Sequence, residues 1–214
     1  MSELFDLTGR IALVTGSSLG IGRALAEGLA RHGANVVLNA RDRDRLNAAA
    51  GELKEDGLDV HTAAFDVTRP EEVRAGVSAV EAEVGPIAIL VNNAGMQFRA
   101  PLEDFPDDKW DELVRTNISG AYYVGKAVGA CMIRRGFGKI INIASVQSEL
   151  ARPGIAPYTT TKGAIRNLTK GMATDWARHG LQINAIAPGY FKTPLNQALV
   201  DDPEFSEWLE KRTP

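Results

Sequence analysis

Six short runs rich in Val, Ile and Leu recur along the chain, separated by amphipathic stretches: IALVT (11–15), VVLNA (36–40), VHTAAF (60–65), AILVN (88–92), KIINIAS (139–145) and QINAIAP (182–188). Each run is nearly continuous in its apolarity, the mark of a strand covered on both faces. Strands that alternate with helix-length segments are satisfied by β-α-β units, whose crossovers build a parallel sheet with helices on either side. The expected fold class is therefore α/β, a doubly wound parallel sheet in three αβα layers. The chain has 214 residues, 44% of them hydrophobic, a size at which one domain buries one large core, and residues 1–214 read as a single domain.

Directly after the first run comes Thr15-Gly16-Ser17-Ser18-Leu19-Gly20-Ile21-Gly22, and then Ala24, Leu25, Gly28 and Leu29 continue at helical spacing from Ile21. A strand, a glycine turn and a helix start make an anion site. Glycine lets the backbone bend and approach a pyrophosphate, and the unpaired amides of the first helical turn favour negative charge. Gly16, Ser17, Ser18, Gly20, Ile21 and Gly22 are the candidate phosphate contacts of a Rossmann-type sheet, although G-x-x-x-G-x-G differs from the G-x-G-x-x-G fingerprint. The second run ends Asn39-Ala40-Arg41, where an NAD enzyme carries an acid against the ribose 2′-hydroxyl. Ala40 removes that charge and Arg41 offers a fork to a 2′-phosphate, so the expected cofactor is NADP, with NAD the weaker reading; the alternative is a solvated Arg41.

Formal charge is −3, from 24 Lys and Arg against 27 Asp and Glu, which leaves no field to gather nucleic acid or an anionic membrane. Cys131 is the single cysteine, and His32, His61 and His179 lie far apart, so no metal-ligand spacing is present. The opening MSELFDLTGR has acids where a secretory signal needs a basic region, and no apolar run approaches the ~18 residues of a membrane span. A cytoplasmic protein is the expectation.

Ser145 follows the fifth run, and Pro157-Tyr158-Thr159-Thr160-Thr161-Lys162 opens a helical pattern thirteen residues later. Tyr158 and Lys162, four apart, share a helix face, so an ammonium can sit near the phenol. A neighbouring cation lowers a tyrosine's pKa and would let Tyr158 act as a general acid or base. Alone, such a pair is more often a surface contact.

Taken together, Gly16, Gly20 and Gly22, Asp66-Val67, Asn92-Asn93-Ala94-Gly95, Asn117, Ser145, Tyr158, Lys162, Pro188-Gly189 and Thr193 resemble the short-chain dehydrogenase/reductase family over essentially the whole chain. The resemblance implies an oxidoreductase acting on CH–OH groups. It implies Tyr158 as acid or base, Lys162 lowering its pKa and binding the nicotinamide ribose, Ser145 on the reacting oxygen, and Asn117 holding a water in a proton relay. Asp66 is implied against the adenine amino group with Val67 beside it. Asn93, Ala94 and Gly95 would line the cofactor cleft with Pro188 and Gly189, and Thr193 would orient the carboxamide.

Within the family, the stretch from Ser145 to Pro214 is similar to members that interconvert a sugar acid and its keto form. A polyhydroxy acid asks for hydrogen bonds and a cation for its carboxylate; Gln97, Arg99, Gln147, Glu149, Arg152 and Tyr190, with Ser145 and Tyr158, are the candidates. The rival substrate is a 3-oxoacyl thioester on an acidic carrier protein, which the small basic cluster Arg134, Arg135 and Lys139 would suit. The reading from another class is an NADP-binding module without turnover. The family's chain continues past the position of Pro214 through a further helix and a seventh strand; were that strand absent, the sixth would be an exposed edge. The resemblance also implies a homotetramer packed through helices including roughly 107–134 and 155–178, and a substrate lid from Tyr190 through about Lys211.

Overall fold

The computed structural model describes residues 3–191, 193 and 201–211. Six strands form one sheet: β1 (Ile11–Thr15), β2 (Asn35–Ala40), β3 (Val60–Ala64), β4 (Ile87–Asn92), β5 (Gly138–Ile143) and β6 (Leu181–Ile186). Every pairing is parallel and the order is β3-β2-β1-β4-β5-β6, so the chain winds outward from β1, returns to its other side at β4, and winds outward again. The helices are α1 (Gly20–Arg31), α2 (Arg43–Glu55), α3 (Pro70–Glu83), α4 (Asp107–Leu113), α5 (Ala121–Arg135), α6 (Ala156–Trp176) and α7 (Pro203–Glu210).

The strand alternation sorts the core into two layers. Ala12 and Val14 of β1 face Ala26 and Ala30 of α1 and Leu46 and Leu53 of α2. Ile11 and Leu13 face the opposite way, toward Val73, Val77 and Val80 of α3, Val124 and Val128 of α5 and Met172 of α6. Both faces of the inner strands are therefore dry, which is why their sequences read as apolar runs without a wet alternation. On β6, Leu181 and Ile183 are buried while Gln182, Asn184 and Ile186 are exposed, and the strand stands at the sheet edge among the described residues.

The stretch expected as one long helix over 107–134 is divided. Between α4 and α5 the backbone runs as a π-helical turn, Val114–Gly120, with Asn117 at its centre. No described helix is long and apolar enough to cross a membrane. In this topology the reversal between β1 and β4 leaves a crevice beyond the carboxyl ends of the strands, where the loops after β1, β2, β4 and β5 converge.

Candidate active site

A cleft of about 450 Å³ fills that crevice. Its floor begins at the glycine turn. Gly16 and Gly20 adopt left-handed backbone angles, φ 62° and 59°, and a Cβ on Gly16 would lie 2.8 Å from the Ala94 Cα. A Cβ on Gly22 would collide with the Asn93 amide and the Gly16 carbonyl, so this glycine sets how closely α1 approaches the strands. Asn93 ties the turn down by donating from Nδ2 to the carbonyls of Thr15 and Gly16, both at 3.0 Å. Thr15 answers from the other side: its Oγ1 accepts the Asn93 and Ala94 amides at 3.0 Å each. Thr15 was not among the expected site residues, because a threonine closing an apolar strand carries no distinguishing pattern.

Ser17, expected as a phosphate contact, lies beneath the turn instead. It is fully buried, donates its hydroxyl to the Val14 carbonyl at 2.8 Å, and exchanges main-chain and side-chain bonds with Asn39. Its hydrogen-bonding groups are spent on joining β1 to β2. Ser18, Gly20 and Ile21 do line the cleft. The N-terminus of α1 has no side-chain cap and no acid in its first turn, unlike α2, α3 and α7, whose first turns carry acids. Its amides and dipole thus fit a pyrophosphate.

Arg41 is exposed at the cleft wall, and Arg45, one turn into α2, lines the same wall. The intervening Asp42 caps α2 by accepting the Arg45 amide at 3.0 Å and lies 3.7 Å from the Arg45 guanidinium. Arg41 and Arg45 stand on one wall with Asp42 held by α2, so their guanidiniums suit a 2′-phosphate. Sequence reading missed Arg45 because it fell in what looked like an ordinary charged helix. Asp66 turns one carboxylate oxygen to the amide and hydroxyl of Thr68, both at 2.8 Å, while its loop and the buried Val67 line this end of the cleft.

At the other end Tyr158, Lys162 and Ser145 converge, as expected. Ser145 caps a short 3-10 turn, Val146–Ser148, and its Oγ accepts the Gln147 amide at 3.1 Å. The Tyr158 hydroxyl faces the Ser145 side chain. Lys162 is buried, donates to the Ile143 carbonyl at 2.7 Å, and holds its ammonium 5.7 Å from the centre of the Tyr158 ring. The expected lowering of the tyrosine by Lys162 does not appear in this geometry. Burial raises the Tyr158 pKa above 10.0, opposed by the Ser145 side chain and the nearby Arg99 charge. Burial brings Lys162 itself down to about 8, since a dry surrounding disfavours its charged form.

Asn117 sits behind this group. Its Oδ1 accepts the Met96 amide at 2.8 Å, and its Nδ2 donates to the Met96 carbonyl and to Thr161 Oγ1, each at 3.0 Å. Both side-chain hydrogens are committed to joining the loop after β4 to α6. A water relay at Asn117 therefore has its main-chain carbonyl and a remaining Oδ1 lone pair to work with.

The mouth beside Tyr158 is cationic. Arg99 is half-buried with its Nε shielded and unpaired, and its guanidinium is destabilised by burial and by the charge of Arg152. Arg152 donates to the Tyr190 hydroxyl at 3.0 Å and lies over the Phe205 ring of α7, 5.7 Å from its centre. Arg152 lines both the main cleft and a shallower neighbouring depression; Arg99 belongs to the depression. Gln97 accepts from Arg99 at 3.2 Å. Glu149 points away from the mouth and pairs with Arg166 of α6, which removes it from the substrate candidates. Pro188, Gly189 and Thr193 line the cleft with Tyr190. Of the expected lid, residues 192 and 194–200 lie outside the described residues, while the Phe205 ring of α7 meets Tyr190 at 5.4 Å.

The family model described as short chain dehydrogenase matches residues 10–204. Among known proteins, a gluconate 5-dehydrogenase of Gluconobacter oxydans (strain 621H) is 60% identical over 212 residues, covering 99% of this chain and 83% of that relative. The 5-keto-D-gluconate 5-reductase of Escherichia coli (strain K12) is 45% identical, covering all of this chain and 84% of that one. The crystal structure of a gluconate 5-dehydrogenase from Burkholderia cenocepacia J2315, in complex with NADP and tartrate, superposes with a TM-score of 0.95 at 57% identity, covering 98% of this chain and 82% of that chain.

Proposed function

The chain belongs to the short chain dehydrogenase family, and from that premise we propose that it is an NADP-dependent oxidoreductase that interconverts gluconate and 5-ketogluconate. The observation that carries the substrate is the pair Arg99 and Arg152 beside the Tyr158 hydroxyl, one of them with a shielded, unpaired Nε. A half-buried Arg99 beside the charge of Arg152 favours an anion, and a substrate carboxylate supplies one. The tartrate bound by the Burkholderia relative, a hydroxylated dicarboxylate, is consistent chemistry.

The cofactor would supply the hydride, and the α1 amides would hold its pyrophosphate, Arg41 and Arg45 its 2′-phosphate, and Asp66 and Val67 its adenine. Thr193 would orient the carboxamide, and Asn93, Ala94, Gly95, Pro188 and Gly189 would line the cofactor cleft. In the reducing direction Ser145 Oγ holds the carbonyl oxygen and Tyr158 gives its phenolic proton to that oxygen as negative charge develops. The raised pKa of the phenol keeps that proton in place at neutral pH. Lys162, its ammonium 5.7 Å from the centre of the Tyr158 ring, then returns a proton toward the tyrosine through the Asn117 relay. The enzyme works as a cytoplasmic homotetramer, a reading supported by Trp110 of α4 and Tyr122 of α5, which stand exposed on outer helices.

The rival substrate, a thioester on an acidic carrier protein, is disfavoured by where the basic cluster lies. Arg134, Arg135 and Lys139 gather at the start of β5, opposite the cleft, and Arg135 is already paired with Glu81 at 2.6 Å. The assembled Tyr158, Ser145 and Lys162 likewise argue against a module without turnover. The deciding experiment follows NADPH absorbance with 5-ketogluconate. Turnover by the wild type, abolished in Tyr158→Phe while NADPH still binds, supports the reading; turnover that survives Tyr158→Phe overturns the assignment of the acid.

A further inference from the structure

Gln147 is 8% exposed, lines the cleft, and keeps its Oε1 fully shielded without a hydrogen-bond partner. The residue has little freedom to escape this position. Its amide is held by Ser145 Oγ, the next residue's hydroxyl donates to the Lys162 carbonyl at 2.9 Å, and the Val146 amide donates to the Pro188 carbonyl at 3.1 Å. A rigid turn thus presents an unanswered polar atom two residues from the serine that meets the reacting oxygen. Buried side-chain oxygens are ordinarily paired, and one left open in a binding cleft marks where a ligand group belongs.

We propose that Gln147 is a specificity-determining residue which recognises a hydroxyl on a carbon next to the reacting one, so that the site selects polyhydroxylated keto acids over plain ones. The inference rests on the sugar-acid reading above and adds to it the reason for discrimination. A hydroxyl both donates and accepts, so it answers Gln147 in either orientation of the amide. A 3-oxoacyl chain offers only C–H groups beside its reacting carbonyl and leaves the amide unpaired when bound. Sites built around a buried hydrogen-bonding group reject analogues that lack its partner more strongly than sites that only measure shape.

The test compares 5-ketogluconate with 5-oxohexanoate, which has the same carboxylate-to-ketone spacing and no hydroxyls. Wild-type enzyme is expected to favour 5-ketogluconate in kcat/KM. Gln147→Met is expected to lose roughly 10- to 100-fold on 5-ketogluconate, hold steady or improve on 5-oxohexanoate, and bind NADPH with an unchanged Kd by fluorescence titration. Gln147→Glu, which keeps an acceptor but puts a buried charge beside the reacting carbon, is expected to lose activity on both. Equal losses on the two substrates in Gln147→Met with intact NADPH binding would overturn the inference and leave the sugar-acid reading standing. A wild type that turns over 5-oxohexanoate but not 5-ketogluconate would overturn both.

Discussion

Lys162 keeps 6% of its surface exposed, and the dry pocket holds its pKa at about 8 against an ordinary 10.5. A cation whose pKa falls on folding costs stability wherever the unfolded chain still holds the proton. The cost is complete below about pH 8 and fades as pH rises toward 10.5. Lys162→Met is therefore expected to raise Tm at pH 7 by about 2–6 °C, an increment of roughly 1–2 kcal/mol after the loss of the bond to Ile143, while abolishing turnover. A calorimetric scan showing a lower Tm would mean that the bond to Ile143 outweighs desolvation. For the wild type, kcat/KM for ketone reduction should be flat at neutral pH and fall as pH passes about 8, where free enzyme loses the ammonium. Tyr158, pushed upward, stays protonated across that range. That Tyr158 and Lys162 share a face was legible from their spacing. Their pKa directions were not, because burial is set by residues from β5, the 3-10 turn and the loop after β4.

The close approach of α1 to the strands depends on Gly22, where a methyl group would meet Asn93 and Gly16. Gly28, in the same helix, has nothing within 4 Å of a built Cβ. Gly22→Ala should raise the NADPH Kd by at least about tenfold and lower Tm. Gly28→Ala should leave binding unchanged and stabilise by about 0.5–1 kcal/mol through helix propensity. Titration and thermal melts of the pair separate packing from propensity; similar behaviour would remove the special role of Gly22. At this scale the strands were legible to within one or two residues, since dry faces on both sides leave an unbroken apolar signature. The π-turn at 114–120 was not, because one widened turn barely disturbs a helical pattern, and what marks it is the contact of Asn117 with Met96 and Thr161.

The assembled sheet brings the loops after its six strands to one crevice and leaves aromatic side chains exposed on α4 and α5. Sedimentation equilibrium is expected to report four copies, and Trp110→Glu together with Tyr122→Glu should shift the mass toward smaller species; a monomeric wild type would refute the tetramer. By itself the sequence determined the α/β class, the parallel winding, the glycine turn and the shared face of Tyr158 and Lys162. Each of these follows from local periodicity or from short spacings along one element. Only the tertiary structure decided that Ser17 braces the sheet, that Glu149 turns to Arg166, that Arg45 joins Arg41, and that Arg99 and Arg152 crowd the tyrosine. Those outcomes depend on contacts between residues tens of positions apart, and on which hydrogen bonds burial leaves unanswered, neither of which has a signature in the order of the residues alone.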